Sequence, residues 1–389
     1  MKKVLFVTYD FPYPTNSGGK TRAYNMLKHS GNDVEKFLIS FIRPDFNNEY
    51  IKEMEKIDVK VLELIPRKKV MSPTNALGLI GGKSIFNTLY FSKGILAQII
   101  QQIIANHIDV VHFESFYTSF FIGDEIKKTG AKQIFGTENI ESNLYEDYAS
   151  NNTKKYLRRF YMGQVGRIRR EEEEIFKKAD FNIAVSDDDA EVIKKYSPKV
   201  GVVRNGVDFD EFKFHLPKKE MGSKLLFVGN FSYFPNVDAM NFFYKEVFKD
   251  LPDNITLTAV GRGADNLSIK DSRITFKEYV PKIQDEYEKA DLMIAPIRLG
   301  GGTNFKIIEA MAVGLPVICL PHRIKGIGAE NEKHLVVAET AWDFVGKTKV
   351  LLEDLKKRQR IAKAAREFAE KEYSWDVIGK RLNKYWKEI

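Results

Sequence analysis

The chain has 389 residues, 43% hydrophobic and 29% charged, the composition of a globular protein long enough for two cores. No apolar run reaches the length of a membrane span, the first ten residues turn polar too soon for a signal peptide, and the single cysteine, Cys319, excludes a disulfide framework, so we expect a cytoplasmic protein. The net charge of +8 favours anionic partners, while no zinc spacing, Walker loop or RNA-binding motif indicates nucleic acid.

The first predicted elements are a buried strand over 4–8 and a helix that starts near Lys20. Gly18 and Gly19 lie in the loop that joins them. A glycine pair at this place lets the backbone approach a ligand closely, although a plain turn would also explain it. Alternating strands and helical segments follow, which is the pattern of a doubly wound parallel sheet.

The stretch 67–95 mixes basic residues with apolar ones. Such a composition suits contact with an anionic membrane surface or a lipid-linked acceptor. A pair of helices packed on their own domain is the alternative interpretation.

Two further predicted strands, 109–114 and 132–137, end in polar residues. Open parallel sheets bind ligands at the carboxyl ends of their strands, so the polar residues there are candidates for a site. They are His112 and Glu114 for the first strand, and Glu138 and Asn139 for the second.

A long charged helix comes next and includes the run Glu171, Glu172, Glu173 and Glu174, which we expect to form a solvated face. Asn205 and Gly206 mark a turn, and residues 206–222 have the composition of an interdomain linker. A second doubly wound unit begins after them.

The stretch 291–320 is predicted to form a strand, a glycine loop, a helix, a glycine stop and a strand. Gly301, Gly302 and Thr303 form the loop and the helix start, where unpaired N–H groups attract anions. Lys306 and Glu309 are three residues apart and therefore share one helix face. A cation and a carboxylate beside an anion-binding helix end are what a sugar nucleotide requires for its diphosphate and ribose.

The sequence GGGTNFKIIEAMAVGLPVI resembles the donor-site signature of retaining GT-B glycosyltransferases of family 4, and VVRNGVDFDEF resembles the segment by which these enzymes leave their first domain. In that family a glutamate of an E-x7-E motif grips the ribose. Glu309 matches the second glutamate, whereas Gly301 stands at the first. The resemblance further places Gly18 and Gly19 against the donor diphosphate and the acceptor.

The resemblance also concerns the charges around the diphosphate. The family often has an arginine after the glycine that matches Gly229, where this chain has Asn230. Arg298 and Lys306 flank the glycine loop and are our candidates for the missing counter-charge. No metal site or cofactor is expected, because cations and helix amides neutralise the charge of the leaving diphosphate.

On the acceptor side, many family members have a histidine at the position of Glu114. We expect Glu114 to be catalytic by orienting or deprotonating the acceptor hydroxyl, with Glu138 as the second catalytic candidate. Asn139 is expected to bind the acceptor. His112 is expected either to bind the acceptor or to be a satisfied structural histidine.

The resemblance implies an α/β protein with the GT-B fold, two Rossmann-like doubly wound parallel-sheet domains facing a cleft. The first domain spans 1–205 with a final helix, 374–389, packing back on it, and the second spans 223–373. The expected reaction is retaining transfer of a hexosyl group from a nucleotide sugar to a glycan or lipid-linked acceptor, in cell-surface polysaccharide synthesis at the inner membrane face. Two alternatives remain, a catalytically silent sugar-nucleotide-binding protein and a GT-B-fold sugar-nucleotide epimerase.

Overall fold

The computed structural model describes residues 1–67, 82–150, 155–299 and 305–389. The chain forms two compact units. Unit 1 consists of Met1–Asn205 and Trp375–Ile389, and unit 2 consists of Gly206–Ser374.

Within the described residues, unit 1 has one seven-stranded sheet whose strands are all parallel, in the order β3-β2-β1-β4-β5-β6-β7. The central strands are continuous apolar runs because helices cover both faces of such a sheet. The strands are β1 (Lys2–Thr8), β2 (Val34–Ile42), β3 (Val59–Pro66), β4 (Val110–Glu114), β5 (Lys132–Gly136), β6 (Phe181–Ala184) and β7 (Val200–Val202).

The helices of unit 1 connect these strands, and the last one comes from the end of the chain. They are α1 (Gly18–His29), α2 (Tyr50–Glu55), α3 (Ile85–Tyr90), α4 (Lys93–Asn106), α5 (Asp124–Lys127), α6 (Glu141–Ser150), α7 (Lys155–Lys178), α8 (Asp187–Lys194) and α15 (Trp375–Glu388), with a 3₁₀ turn at Ser119–Phe121.

Unit 2 has a six-stranded parallel sheet of order β10-β9-β8-β11-β12-β13 within its described residues. Its strands are β8 (Lys224–Val228), β9 (Thr256–Val260), β10 (Ile274–Lys277), β11 (Leu292–Ala295), β12 (Val317–Cys319) and β13 (Val336–Val337). Its helices are α9 (Phe234–Glu246), α10 (Ile283–Lys289), α11 (Phe305–Val313), α12 (His322–Ile327), α13 (Ala341–Glu353) and α14 (Leu355–Tyr373), with 3₁₀ turns at Phe248–Asp250 and Ala264–Asn266.

The strand, helix, stop and strand predicted for 291–320 are confirmed by β11, α11 and β12. Ile307, Ile308 and Met311 face the core of unit 2, as the helical spacing predicts. Gly314 has a φ of +80° and terminates α11 in the left-handed conformation, which glycine adopts without a steric penalty. The glycine loop itself, 300–304, lies outside the described residues.

The last helix, α15, packs on unit 1 through one apolar stripe. Trp375, Ile378, Leu382 and Trp386 are buried along it, at the spacing expected for one helix face. Trp386 reaches furthest, since its indole lies edge-on to His112 of β4 with ring centroids 6.0 Å apart. The end of the chain therefore contributes to the core beneath the strand that carries Glu114.

The prediction of a solvated face for the glutamate run in α7 is wrong for two of its members. Glu172 is buried and accepts hydrogen bonds from the backbone N–H groups of Glu141 and Ser142, at 2.6 and 2.9 Å. Glu171 accepts from the N–H of Ser84 at 3.0 Å. These carboxylates satisfy N–H groups at the starts of α6 and α3, which have no partner within their own helices.

Among the described residues, no helix combines the length and the apolar character that crossing a bilayer demands. Residues 68–81, which belong to the mixed basic and apolar stretch 67–95, lie outside the described residues.

Candidate active site

In unit 2, the Glu309 side chain on α11 is partly buried, and a tyrosine holds its carboxylate. The Tyr287 hydroxyl, on α10, donates to Glu309 Oε2 at 2.7 Å and lies 3.3 Å from the backbone oxygen of Lys306. Burial raises the pKa of Glu309, and the hydrogen bond from Tyr287 and the charge of Lys306 partly offset that rise. The tyrosine fixes one carboxylate oxygen and so orients the group.

Lys306 lies one turn before Glu309 and reaches across to the start of α9. Its Nζ donates to Asn236 Oδ1 at 2.7 Å and lies 4.4 Å from the centroid of the Phe227 ring. Asn236 in turn donates to the backbone oxygen of Asn230, at 2.8 Å. This hydrogen-bond partner of Lys306 is a neutral amide, and the charge of Lys306 also acts on the Glu309 carboxylate.

Arg298 is placed differently. It makes two hydrogen bonds to the carboxylate of Asp238, at 2.6 and 3.1 Å, and its guanidinium lies over the Phe242 ring. Asp238 therefore compensates its charge, although the side chain is 46% exposed. The other three predicted donor residues of this region, Gly301, Gly302 and Thr303, lie outside the described residues.

In unit 1, Glu114 is enclosed in a buried network that runs through three other side chains. Its Oε1 accepts from Arg22 Nε at 2.6 Å, and its Oε2 lies 2.9 Å from His112 Nε2. Trp386 Nε1 donates to His112 Nδ1 at 3.0 Å. Because an indole N–H can only donate, Nδ1 must accept, and the ring proton sits on Nε2 and points at Glu114.

These neighbours decide the ionisation of the network. Burial by itself would raise the pKa of Glu114, but the charge of Arg22 and the hydrogen bond from His112 lower it to about 2. Burial lowers the pKa of His112, so the ring is neutral. A carboxylate with so low a pKa, and with both oxygens occupied, is poorly suited to remove a proton.

This geometry argues against the expected role of Glu114 and bears on the two interpretations of His112. Glu114 forms a buried ion pair with Arg22 in place of the predicted open position at the strand end. His112 has no open face for an acceptor, because both ring nitrogens are bonded and the Phe6 ring packs against it at 4.5 Å. Of the two interpretations of His112, the structure favours the satisfied structural histidine.

Glu138 follows the neighbouring strand, β5, and its pKa is shifted in the opposite direction to that of Glu114. Burial, and then the negative charge of Glu114, raise its pKa to about 7, with Arg22 and the Tyr9 hydroxyl as partial offsets. Its Oε1 atom is buried and has no hydrogen-bond partner among the described residues. Of the two predicted catalytic carboxyls, Glu138 is the one with a free oxygen and a pKa near neutrality.

The first turn of α1 lies directly against Glu138. A Cβ atom added to Gly19 would lie 2.8 Å from Glu138 Oε1 and would collide with the Tyr9 hydroxyl, so a side chain at this position would require these two groups to shift. Gly18 is the first residue of the helix. Asn139 is partly exposed next to Glu138, and its backbone oxygen accepts from the Thr137 hydroxyl at 2.9 Å. The structure therefore brings these four predicted residues together.

Sequence reasoning missed three contributors to the two sites, Arg22, Tyr9 and Tyr287. Arg22 is fully buried and also donates to the backbone oxygen of Val203 at 2.9 Å and to Asn205 Oδ1 at 3.0 Å. An arginine in the first turns of an amphipathic helix carries no signal that it will be buried, because its partners are distant in sequence.

Comparison with known families gives one match in each half of the chain. Residues 71–211 match the model described as Glycosyltransferase Family 4, and residues 222–354 match the model described as Glycosyl transferases group 1. The chain belongs to the group 1 type glycosyltransferases of family 4. The family that the sequence resemblance indicated is thus confirmed, and the chain is a glycosyltransferase.

Two curated relatives are similar over most of their length. An uncharacterized 44.6 kDa protein in the cps region of Klebsiella pneumoniae is 23% identical over 365 residues, covering 87% of this chain and 88% of the relative. An uncharacterized glycosyltransferase of Methanocaldococcus jannaschii is 20% identical over 433 residues and is covered completely.

Solved structures confirm the fold of this glycosyltransferase. The Anabaena protein HepE in complex with UDP and glucose superposes with a TM-score of 0.68 at 14% identity, with both chains covered completely. The lipopolysaccharide outer core galactosyltransferase WaaB, in its apo form, gives a TM-score of 0.64 at 14% identity, again with complete coverage. The two parallel sheets are thus those of the GT-B fold.

Proposed function

We propose that the enzyme transfers a hexosyl group from a nucleotide sugar, bound by unit 2, to a hydroxyl of a glycan or lipid-linked acceptor, bound by unit 1, with retention of the anomeric configuration. The observation that carries this proposal is the pairing of Lys306 and Glu309 on one face of α11, directly after the glycine loop. HepE, which has the same fold, was solved with UDP and glucose.

In this proposal the two residues of α11 divide the nucleotide between them. Glu309, oriented by Tyr287, accepts hydrogen bonds from the ribose hydroxyls. Lys306 exchanges its bond to Asn236 for the diphosphate, whose charge it neutralises as the leaving group departs. The N–H groups at the start of α11 also stabilise the negative charge of the diphosphate.

On the acceptor side, Glu138 is the proposed catalytic carboxyl. Its ionised form either accepts the proton of the acceptor hydroxyl or stabilises positive charge that develops on the sugar ring. Arg22 and Glu114 are positioning residues in this scheme, since they hold the start of α1 against the end of β4.

A donor panel tests the proposal directly. The purified chain is incubated with UDP-, GDP- and ADP-sugars, and the products are resolved by chromatography and by NMR of the anomeric proton. Slow release of NDP supports a transferase, and an α-product from an α-donor supports retention. Conversion of the donor to an isomer would identify an epimerase, and binding without any turnover would identify a silent module.

Independence of metal ions and binding to the inner membrane face are two further parts of the proposal. Transfer should continue in EDTA, because Lys306 and helix amides carry the counter-charge. The net charge of +8 should bring the enzyme to anionic liposomes in a salt-sensitive manner. Loss of activity in EDTA would contradict metal independence. Absence of liposome binding at low salt would contradict binding to the membrane face.

A further inference from the structure

A group of charged side chains meets at the carboxyl edge of the first three strands of unit 1. Asp10 lies two residues after β1, Arg43 directly after β2 and Arg67 directly after β3, while Lys20 is in the first turn of α1. We call Lys20, Arg43 and Arg67 around Asp10 the cationic cluster. The carboxyl edge of a parallel sheet is where ligands of such folds bind.

The positive charges of the cationic cluster outnumber the negative ones. Asp10 is buried, and its Oδ2 lies 2.8 Å from Arg43 Nη2, 3.6 Å from Arg67 Nη2 and 3.8 Å from Lys20 Nζ. Among the described residues, Asp45 is the other carboxylate that acts on Lys20, more weakly than Asp10. Among the described residues, three cations therefore share the Asp10 carboxylate.

The cations also act on one another. Burial lowers the pKa of Lys20, and the charges of Arg43 and Arg67 lower it further, against the opposing effect of Asp10. A bound anion would relieve this repulsion. Arg43 is 56% exposed, so the cluster is open to a ligand from solution.

One residue connects the cationic cluster to Glu138. Arg67 Nε donates to the backbone oxygen of Tyr9 at 2.9 Å, and its guanidinium lies 5.6 Å from the centroid of the Tyr9 ring and 5.8 Å from that of Tyr90. At the other end of the same residue, the Tyr9 hydroxyl adjoins Glu138 and Gly19. The cluster and the proposed catalytic carboxyl are thus one tyrosine side chain apart, which is comparable to the length of a sugar ring.

We propose that the cationic cluster binds an anionic group, a phosphate or a carboxylate, that is carried by the acceptor next to the sugar that receives the new bond. This inference rests on the proposed function and specifies its acceptor as an acidic one. Arginine and lysine together recognise such oxyanions through charge-assisted hydrogen bonds. The shared chemistry fits the diphosphate of a lipid-linked acceptor and the carboxylate of an acidic sugar.

The test measures small-anion binding to the full chain by isothermal titration calorimetry, with inorganic pyrophosphate, glucuronate and, as the neutral probe, glucose. Lys20→Gln/Arg43→Gln is compared with Lys52→Gln/Lys60→Gln. The second pair lies in exposed surface ion pairs of the same unit and removes the same charge. Because the donor site also attracts diphosphates, the difference between the two double variants is the readout.

The proposal expects the cluster variant to lose affinity for one of the two anions by at least about tenfold relative to the control. Loss for pyrophosphate assigns the cluster to a phosphate-bearing acceptor, and loss for glucuronate assigns it to an acidic sugar. Equal affinities in the two double variants, or an effect as large for glucose, would overturn the proposal.

Arg43→Gln alone keeps the test valid if the double variant does not fold, since this side chain is more than half exposed. Its anion affinity should fall in the same direction by a smaller factor, and no fall would count against the proposal. Donor hydrolysis by the unsubstituted chain is measured separately and tests the proposed function. The inference about the acceptor and the proposed function can therefore fail independently of each other.

Discussion

Arg22 Nε donates to Glu114 Oε1 at 2.6 Å, and both side chains are about 1% exposed. Such a pair sits in a low-dielectric environment, where removing one partner leaves the other as an uncompensated buried charge. The pair joins α1 to β4, and His112 joins β4 to α15. The position that the family resemblance made a catalytic candidate is thus part of the core.

The first prediction concerns Glu114. Glu114→Gln should lower the free energy of unfolding by about 3–5 kcal/mol, because Arg22 loses its counter-charge. The pKa of Glu114 is about 2 in the folded chain against its usual 4.5, so the pair's contribution is present above pH 4.5 and is lost as the pH falls towards 2. Urea unfolding at several pH values measures both effects. A variant as stable as the parent with a large kcat defect would restore the catalytic assignment.

Glu138 carries the second prediction. Glu138→Gln should lower kcat roughly 100-fold or more while NDP affinity stays nearly constant, because the carboxylate acts in the transition state. With a pKa of about 7, Glu138 is ionised above neutral pH, so parental kcat should rise as the pH passes about 7 and the variant should lack this rise. Glu125→Gln, an exposed residue paired with Lys128, is the control. An unchanged pH profile in Glu138→Gln would assign the titration to another group.

The third prediction concerns the ribose. Glu309→Ala should weaken NDP and nucleoside binding alike by at least about 100-fold, because two charge-assisted hydrogen bonds are lost. The pKa of Glu309 is raised, so protonation on acidification should also weaken binding by the parent. Calorimetry compares this variant with Glu353→Ala, an exposed position on α13. Unchanged affinity in Glu309→Ala would exclude the ribose contact.

The diphosphate is the subject of the fourth prediction. Lys306→Ala should weaken NDP by about tenfold or more and the free nucleoside far less, because an ammonium group forms charge-assisted hydrogen bonds with a diphosphate and a nucleoside carries no such charge. Arg298→Ala should have a smaller effect, because Asp238 already compensates Arg298. Lys356→Ala, an exposed lysine of α14, controls for net charge. Equal losses for NDP and nucleoside in Lys306→Ala would show that Lys306 does not bind the diphosphate.

The fifth prediction separates two glutamates of α7. Glu172→Ala should destabilise the chain by about 2–3 kcal/mol, because the backbone N–H groups of Glu141 and Ser142 lose their acceptor. Glu174→Ala should change stability by less than about 0.5 kcal/mol, since its ion pair with Lys178 is solvent-exposed. Thermal unfolding monitored by circular dichroism compares the two, and similar shifts would contradict the assignment.

The sequence by itself determined the order of strands and helices around α11 and the common face of Lys306 and Glu309. Strand and helix periods are local properties, so the stretch around α11 could be read in order, including the left-handed stop at Gly314. The common face of Lys306 and Glu309 also follows from helix geometry alone, because residues three apart are neighbours on any α-helix. The rule that ligand sites lie at the carboxyl ends of strands placed Glu138 and Gly19 at the same edge of the sheet. It did not predict that the two residues lie against each other.

Only the tertiary structure decided which carboxylate is free. Glu114 is the last residue of one buried strand and Glu138 follows the next, and nothing in the local sequence shows which of them has a free oxygen. Arg22 lies 92 residues from Glu114, and Trp386 lies 274 residues from His112. The pKa of a buried carboxyl depends on the charges packed against it, so these distant partners lower the pKa of Glu114 to about 2, while burial beside the Glu114 charge raises that of Glu138 to about 7.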